Sequence, residues 1–519
     1  MASTFFGLTI AYSGLQAANT SLTITGHNVS NINTKGYTKQ QAGTQAADAL
    51  RTHTTYGAIG SGVVVTEISQ IRDSYYDVKY RNNMANYGQY SVKESYMGQI
   101  EDYLDEFTLN GYSQEYKNFF SAVNQLTITP GDTSAKNQLI NNAKSLADYF
   151  NTLTTNLRNV QADANNEIKD AVQQINSYAK NIAALNRQIN QIEANYGNAN
   201  DLRDKRNAMI DELSEIVNLE TSEEDMGNNV SNFSVRINGQ TLVSSYSYNT
   251  LETVARTDKK NYSDAEGLYD VQWNSGQKFD MYSTSLSGHL KGLIDIRDGN
   301  NGEHENIETD DDGNNVTDSD GNLVLTTAPA ADKTVSYKGV PYYQAQLNQF
   351  IQTFVSSINE ILTKGVTSDG SASGIPLFVM SDGSKALTAS SVTVNQDLID
   401  NADLLATKYK ESDGEANTSL IVDLINSKDA KIYDGGTGTY FLESIVSDMS
   451  IDASKAINFT KNYNNLKTTI QNQRLSVMGV DTDEEAMDLV KFQQAYNLSS
   501  KMMTVMNQLY DRLINNTGV

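Results

Sequence analysis

The residues best suited to chemistry in this chain are its four histidines, because cysteine is absent. His304 begins the stretch HENIE, which matches the zinc-protease pattern HExxH at every position except the last. Glu308 occupies that last position, so one helical face cannot present two imidazole nitrogens to zinc. A metalloprotease therefore has weak support. The other histidines, His27, His53 and His289, show no pattern that would predict a Ser-His-Asp arrangement.

Clustered carboxylates raise a second possibility, a calcium site. They lie in DDDGNN, residues 310–315, and in DSDGN, residues 318–322. An EF-hand loop requires a Glu six positions after its Gly, but Ser319 and Thr327 occupy those positions. A solvated acidic loop is the simpler account of the cluster. We therefore predict no enzyme activity, no catalytic, cofactor-binding or metal-binding residues, and no cofactor.

Composition narrows the classes of protein further. A chain of 519 residues exceeds what one hydrophobic core usually supports, so two to four domains are expected. The formal charge of −24 disfavours nucleic acid and anionic membranes as partners. No apolar run is long enough to predict membrane insertion. The apolar stretch at residues 5–12 lacks the basic region of a secretory signal, since the first Lys or Arg is Lys35.

Both ends of the chain carry heptad patterns, which predict helices that pack along a seam. The N-terminal seam consists of one row spaced by seven residues and a second row three residues further on; its proposed assembly residues are Leu8, Leu15, Leu22, Val29 and Ile32. The corresponding C-terminal residues are Leu489, Phe492, Tyr496, Met503, Met506, Tyr510 and Leu513. Two such seams at opposite termini suggest one two-helix coiled coil. Separate packing of each helix on its own domain remains the alternative.

The middle of the chain combines long helices with β structure. No Gly or Pro interrupts the periodic stretch between Gly131 and Gly197, which predicts one long helix. A turn at residues 196–200 precedes another helical stretch, so the two should form an antiparallel hairpin. Alternation at residues 232–245 around Asn238-Gly239 predicts a β-hairpin. The fold class is thus mainly α with β insertions, in several domains.

The expected domains follow the same order. They are a terminal coiled-coil inner domain, residues 1–40 and 480–519; a long-helix bundle, residues 41–220, 287–298, 341–365 and 415–479; a β-rich outer domain, residues 221–286; an acidic loop or small outer module, residues 299–340; and a second non-helical outer segment, residues 366–414.

The stretch NVSNINTKGYTKQ, residues 28–40, resembles the N-terminal signature of bacterial flagellar rod, hook and hook-associated proteins. In that family an uncharged heptad helix runs into NNxxNxxTxG, followed by Tyr or Phe. The matching residues are Asn28, Asn31, Thr34, Gly36 and Tyr37, whereas His27 and Ser30 depart from the usual Asn and Ala. The form GYTKQ is typical of the hook-associated members, and residues 198–220, 287–299 and 479–515 are similar to their further conserved blocks.

The resemblance implies a structural protein of the bacterial flagellum that forms a ring at the hook-filament junction. It implies secretion through the flagellar type III apparatus without a cleaved signal peptide. The implied partners are further copies of the chain, the hook protein, the second junction protein (FlgL) and an export chaperone. A hook or rod protein is the alternative, and an axial protein carrying a metalloprotease or calcium-binding insertion is a weaker one.

Within this reading, residues 28–40 act as a joint. Val29 and Ile32 continue the seam, so the first helix should end near Thr34. Gly36 can then take the left-handed conformation that stops a helix, and Tyr37 can anchor the outgoing chain. The two terminal segments are expected to be mobile before assembly and helical within it.

Overall fold

A computed structural model describes residues 6–51, 58–104, 111–299, 303–310, 314–318, 321–329, 337–381, 383–414 and 416–516. His53 and part of the acidic segment 299–340 lie outside the described residues. The chain divides into two compact units. The first unit comprises Met1–Ala85, Ile175–Thr250 and Tyr463–Val519, and the second comprises Asn86–Gln174 and Leu251–Asn462.

Helices account for most of the regular structure. In chain order they are α1 (Phe6–Ser30), α2 (Ser74–Leu104), α3 (Tyr112–Leu126), α4 (Thr133–Glu193), α5 (Asn200–Ile216), α6 (His289–Asp298), α7 (Val340–Thr363), α8 (Gln396–Asp400), α9 (Ser419–Ser427), α10 (Gly438–Met478) and α11 (Thr482–Asn516), with a 3-10 turn at Ala402–Leu404.

The strands are short and antiparallel. They are β1 (Gln40–Ala46), β2 (Leu50–Arg51), β3 (Ala58–Ile59), β4 (Val63–Gln70), β5 (Glu220–Asp225), β6 (Ser231–Ile237), β7 (Gln240–Ser244), β8 (Ser247–Tyr248), β9 (Leu251–Ala255), β10 (Tyr269–Trp273), β11 (Glu303–Ile307), β12 (Leu325–Pro329), β13 (Val366–Thr367), β14 (Phe378–Met380), β15 (Val392–Val394) and β16 (Ala406–Lys408). The predicted fold class, mainly α with β insertions, is confirmed.

In the first unit, α1 and α11 pack antiparallel against each other. A Cβ added at Gly7 would overlap the Met506 side chain, and one added at Gly14 would meet Ser499. Asn28 donates to Glu485 at 3.2 Å. Residues 7, 14 and 28 of α1 thus lie next to residues 506, 499 and 485 of α11, which is an antiparallel register. The glycines of α1 allow close approach of the two backbones. The terminal helices therefore pair with each other, as expected for a two-helix coiled coil, and do not pack separately.

Gly7, Gly14 and Asn28 of α1 lie next to α11. They stand one position before the predicted leucine row, whose role in assembly stays a prediction. The second predicted row is buried at Ala11, Ala18 and Thr25. Leu8, Leu15 and Leu22 are half-buried, and Val29 and Ile32 are exposed. The absence of a side chain at Gly7 and Gly14 lets the two helices approach closely at these positions.

A strand pair covers another side of α1. Strands β1 and β4 pair with a register shift between Gly43 and Thr44, and both contact α1. The Ser13 hydroxyl accepts a hydrogen bond from the Val63 amide at 3.2 Å. The bundle was predicted to include residues 41–220, and strands β1–β4 lie at the start of that range. The heptad and alternation patterns of the sequence did not indicate these strands.

The long helix and its partner in the first unit follow the prediction. Helix α4 is one continuous helix of 61 residues. Within the first unit, three side-chain pairs join it to α5 in antiparallel order: Tyr178 with Glu212 at 3.3 Å, Asn186 with Arg206 at 3.1 Å, and Glu193 with Arg203 at 2.7 Å. The predicted antiparallel hairpin is therefore confirmed.

A four-stranded sheet, in the order β5-β6-β7-β8, completes the first unit. Asn238 and Gly239 connect β6 to β7, and both have the positive φ angles, 49° and 77°, of a tight hairpin turn. The predicted β-hairpin at this position is confirmed.

An aromatic core is the main packing feature of the second unit. Rings from several helices and one strand lie within 6.5 Å of a neighbouring ring: Tyr116, Phe119, Phe120, Phe150, Phe350, Phe354, Phe378, Tyr433 and Phe441. Aromatic side chains bury large areas, so such a cluster is a strong source of stability. Short strand pairs, β9-β10, β11-β12, β13-β16 and β14-β15, surround these helices in the second unit. The assignment of these regions to inner and outer layers stays a prediction.

Candidate functional site

The family motif forms a joint at the end of α1. Helix α1 ends at Ser30, four residues before the predicted end. At this end the Ser30 hydroxyl donates to the Gly26 carbonyl at 2.7 Å and Asn31 Nδ2 donates to the His27 carbonyl at 3.0 Å. Turns follow, and Gly36 adopts the predicted left-handed conformation with φ 81°. A Cβ at Gly36 would lie 3.2 Å from the Ala208 Cβ.

Asn28 is the central residue of this joint. Its side chain is buried, and its amide group makes four hydrogen bonds. Nδ2 donates to the Gln40 carbonyl at 2.9 Å and to Glu485 at 3.2 Å. Oδ1 accepts from the Tyr37 hydroxyl at 2.8 Å and from the Gln40 amide at 3.0 Å. One side chain thus connects the end of α1, the start of β1 and the first turn of α11, and it uses both donors and both acceptor positions of an amide.

Tyr37 anchors the outgoing chain on the same helix. Besides donating to Asn28, its hydroxyl lies 2.9 Å from His27 Nδ1, which can donate to it. The His27 and Tyr37 rings meet edge to face at 5.6 Å. Burial raises the pKa of Tyr37 well above its usual value, and Asp201 and Asp204 act in the same direction. The hydroxyl therefore keeps its proton and remains a hydrogen-bond donor near neutral pH.

The next residue, Thr38, connects the joint to α5. Its amide donates to Asp204 Oδ2 at 2.9 Å and its hydroxyl to Asp204 Oδ1 at 2.8 Å. Arg72 lies 3.4 Å from the same carboxylate and pairs with Asp77 at 2.7 Å. Burial raises the pKa of Asp204, while the hydrogen bonds from Thr38 and the charge of Arg72 oppose that shift.

Lys39 connects the joint to α10 and α11. Its backbone amide donates to the Met478 carbonyl at 2.9 Å. Its ammonium group donates to Glu484 at 2.7 Å and lies 3.1 Å from Glu485. Burial disfavours the Lys39 charge, but the hydrogen bonds with Glu484 and Glu485 outweigh it and raise its pKa. Asp481 caps α11 by accepting hydrogen bonds from the amides of residues 483 and 484.

A buried ion-pair cluster lies behind the joint. Asp211 of α5 binds Arg81 of α2 at 2.7 Å and Arg474 of α10 at 2.6 Å. Arg474 also binds Asp77 at 2.8 Å. Each charge has an opposite partner, which is the condition for burying such groups without a large cost. The cluster fixes α2, α5 and α10 relative to one another within the first unit.

The loop, α2, α5 and α10 together line a groove of about 610 Å³. Ile32–Thr38 form one side, with Tyr80, Asp211 and Leu475 among the residues opposite. The groove lies directly beside the family motif.

The structure brings most of the predicted motif residues together. Asn28 and Tyr37 make direct contacts, Gly36 shapes the turn, and Asn31 and Thr34 bond each other at 3.1 Å. On α11, the predicted residues Phe492, Tyr496, Met503, Met506 and Tyr510 are half-buried on the side of α1, whereas Leu489 and Leu513 are exposed. Their role in assembly stays a prediction.

Sequence reasoning missed the charged partners of the motif. Arg72, Asp77, Asp204, Asp211, Arg474 and Glu485 complete the joint from distant parts of the chain. Asp204 and Asp211 belong to a block recognised by its similarity to other proteins, and Glu485 to an acidic helix start. Nothing in their local sequence says which residue each one pairs with.

The structure adds no catalytic constellation to the joint. HENIE lies on strand β11 and the residue after it, not on a helix. Within the described ranges, no group of three His, Asp or Glu side chains is placed to hold a metal ion. No helix in the same ranges is both long and apolar enough to cross a membrane.

Comparison with known proteins assigns a family to this arrangement. A family model described as the flagellar hook-associated protein FlgK helical domain matches residues 97–378. A second model, the flagellar basal body rod FlgEFG protein C-terminal, matches residues 471–516. The chain is similar to flagellar hook-associated protein 1 of Bacillus subtilis, with 26% identity over 100% of this chain and 99% of the relative. It is also similar to flagellar hook-associated protein 1 of Salmonella typhimurium, with 28% identity over 97% of this chain and 98% of the relative.

The fold has a known counterpart as well. The structure of the flagellar hook junction protein FlgK from Burkholderia pseudomallei superposes with a TM-score of 0.58 and 15% identity, over 77% of this chain and 100% of that one. The predicted hook-associated family and structural role in the flagellum are therefore confirmed. The chain belongs to the family of the flagellar hook-associated protein FlgK.

Proposed function

We propose that this chain is a non-enzymatic building block of the flagellar hook-filament junction, and that it assembles axially through its two terminal helices. The observation that carries the proposal is an exposed apolar stripe on α11. Leu498, Met502, Val505 and Leu509 follow one another at helical spacing, and Leu498 is 64% and Val505 48% exposed. A contiguous exposed stripe of this kind marks an interaction surface.

The composition of α1 supports the same conclusion. From Phe6 to Ser30 the helix contains no Asp, Glu, Lys or Arg. A helix on the surface of a monomer usually carries charges on its solvent side. Packing among further copies would cover the uncharged exposed side of α1 and the apolar stripe of α11 together.

The joint fixes the orientation of the terminal helix pair relative to the rest of the first unit. Asn28, Thr38 and Lys39 bind groups on α11, α5 and α10, so the terminal pair cannot rotate independently of the rest of the first unit. We propose that the five motif residues Asn28, Asn31, Thr34, Gly36 and Tyr37 set this angle. The assembly residues predicted on both terminal helices, from Leu8 to Ile32 and from Leu489 to Leu513, would then line contacts within the chain or with its neighbours.

We extend the proposal to the partners implied by the family. These are further copies of the chain in a ring, the hook protein on one side, the second junction protein (FlgL) on the other, and an export chaperone before assembly. Export through the flagellar type III apparatus without a cleaved signal peptide belongs to the same proposal.

Charge on the apolar stripe tests the assembly role. Leu498→Asp and Val505→Asp should abolish assembly at the junction and motility in cells that lack their own junction protein. Both positions are exposed, so the melting temperature of the purified chain should change little. Gln493→Asp is a matched control, because it is also exposed and lies about 140° round the helix from Leu498.

Two results would count against the proposal. Normal assembly of both stripe variants would show that the stripe is not an assembly surface. A labelled wild-type chain that is incorporated along the hook or rod, and not at the junction, would favour the hook or rod alternative.

A further inference from the structure

The second unit contains a groove of about 760 Å³ that the proposed function does not use. Helix α4, the segment after β9, the end of β11 and the loop between β14 and β15 contribute its walls. Its volume is many times that of a single phosphate or sulfate ion. The groove is therefore large enough for several linked chemical groups.

The groove is basic in a strongly acidic protein. Arg158, Lys259, Lys260 and Lys385 line it, and the one carboxylate among its described lining residues is Glu266. Lys259 binds Glu266 at 2.6 Å. Three positive charges therefore remain in the groove, although the chain as a whole has a formal charge of −24. Such a local reversal of sign attracts anions.

Arg158 is held in place by neutral groups. Its guanidinium donates to the Ser263 carbonyl and to the Ser390 hydroxyl, each at 3.2 Å. In the part of the chain that the structure describes, no carboxylate forms an ion pair with it. The side chain is thus oriented, while its charge remains available to a ligand.

Lys260 adds a second partly desolvated cation. It donates to the Tyr282 hydroxyl and lies over the Tyr282 ring, 3.7 Å from its centroid. Burial lowers the pKa of Lys260, and the positive charge of Arg256 acts in the same direction against the attraction of Asp298. Asp270 offsets part of this cost as well.

Hydrogen-bonded turns of the acidic segment lie next to the groove. The Leu323 amide donates to the Lys385 carbonyl at 2.7 Å, so this segment borders the groove. Asp310 and Asp318 each accept a hydrogen bond from an amide of their own turn at 2.8 Å. Their carboxylates therefore already have partners within those turns.

We propose that this groove binds an acidic saccharide, a short chain of carboxylated or sulfated sugars. Cations on three separate segments suit charges that are spread along a ligand. The half-buried hydroxyls of Ser384 and Ser390 can accept hydrogen bonds from sugar hydroxyls. The apolar aliphatic lining is small, Ile307 and Ala386, which offers little to the side chains of a peptide. The proposal does not depend on assembly at the junction.

Calorimetric titration of the full chain tests the proposal. The probes are a heparin-derived tetrasaccharide and a tetragalacturonate, with an uncharged tetrasaccharide, tetraglutamate and inorganic sulfate for comparison. Binding of the two acidic saccharides should weaken with added salt, because exposed charge contacts are screened. Arg158→Gln combined with Lys385→Gln should weaken binding at least about tenfold, since hydrogen bonds to charged groups contribute about 1.5–3 kcal/mol each.

A matched control distinguishes loss of the groove's own cations from a general loss of positive charge. Arg187→Gln combined with Lys461→Gln removes the same charge from exposed positions outside the groove and should leave binding unchanged. Lys385→Gln alone, at an exposed position, should still weaken binding if loss of Arg158 disturbs the fold. Equal loss in groove and control variants would overturn the proposal, as would absence of saccharide binding. Tighter binding of tetraglutamate than of either acidic saccharide would also overturn it, in favour of an acidic peptide.

Discussion

Replacing Asn28 by alanine is the most direct test of the joint. The side chain is 1% exposed, and alanine would leave the Gln40 amide, the Gln40 carbonyl and Glu485 each without one hydrogen-bond partner. A buried polar group left without a partner costs about 1–3 kcal/mol. Counting the two backbone groups of Gln40, we expect Asn28→Ala to lower the free energy of unfolding of the first unit by about 2–4 kcal/mol.

Amide hydrogen exchange gives the sharpest readout, because the Gln40 amide donates to the replaced side chain. A loss of about 3 kcal/mol corresponds to roughly 100-fold faster exchange at Gln40. Amides in the aromatic core of the second unit should keep their rates. This local measurement avoids the assumption that a chain with two compact units unfolds in one step.

Asn33→Ala is the control, since Asn33 is an exposed residue of the same loop. It should change stability by less than about 0.5 kcal/mol. Similar exchange rates at Gln40 in Asn28→Ala, Asn33→Ala and the wild type would refute the argument that the Asn28 amide holds the joint together.

Three further predictions concern the same loop. Gly36→Ala should destabilise the first unit by about 1–2 kcal/mol, because φ is positive at Gly36. Gly26→Ala lies inside α1 with open space around it and should stabilise the unit by up to about 1 kcal/mol. Thermal melting of the two variants measures the difference. Tyr37→Phe should cost about 1 kcal/mol through the lost hydrogen bonds, measured by denaturant unfolding. The pKa of Lys39 is raised above 10.5 on folding, so its contribution to the free energy of unfolding should be complete below pH 10.5 and lost as pH rises further. The loss of stability at alkaline pH should therefore be smaller in Lys39→Gln than in the wild type. The same dependence of stability on pH in both proteins would contradict this assignment.

Much of the helical architecture could be predicted because its signals are local. The stretch free of Gly and Pro between Gly131 and Gly197 predicts one long helix, and α4 is that helix. Asn238-Gly239 gave the hairpin turn, since positive φ at both positions favours those residue types. The left-handed conformation of Gly36 could be predicted for the same reason, because glycine favours positive φ.

The remaining features depend on contacts that are distant in sequence. Helix α1 ends at Ser30, and the turns after it lead to Gly36, which lies close to Ala208 of α5. Strands β1 and β4 form against α1, and short polar strands of this kind give a weak pattern on their own. Asp204 pairs with Thr38 across more than 160 positions of sequence, which spacing cannot indicate.

The polar end of the terminal helix pair also selects one alignment among several. A row of small residues that repeats every seven positions fits its partner almost equally well after a slip of one heptad, so apolar packing alone leaves the alignment degenerate. In a slipped pair, Asn28 would face Phe492 instead of Glu485, and Lys39 would lose its buried carboxylate partner. The polar contacts of Asn28, Lys39 and Glu485 therefore favour a single alignment of α1 and α11. Every copy of the chain would then present the apolar stripe of α11 at the same position along the helix pair.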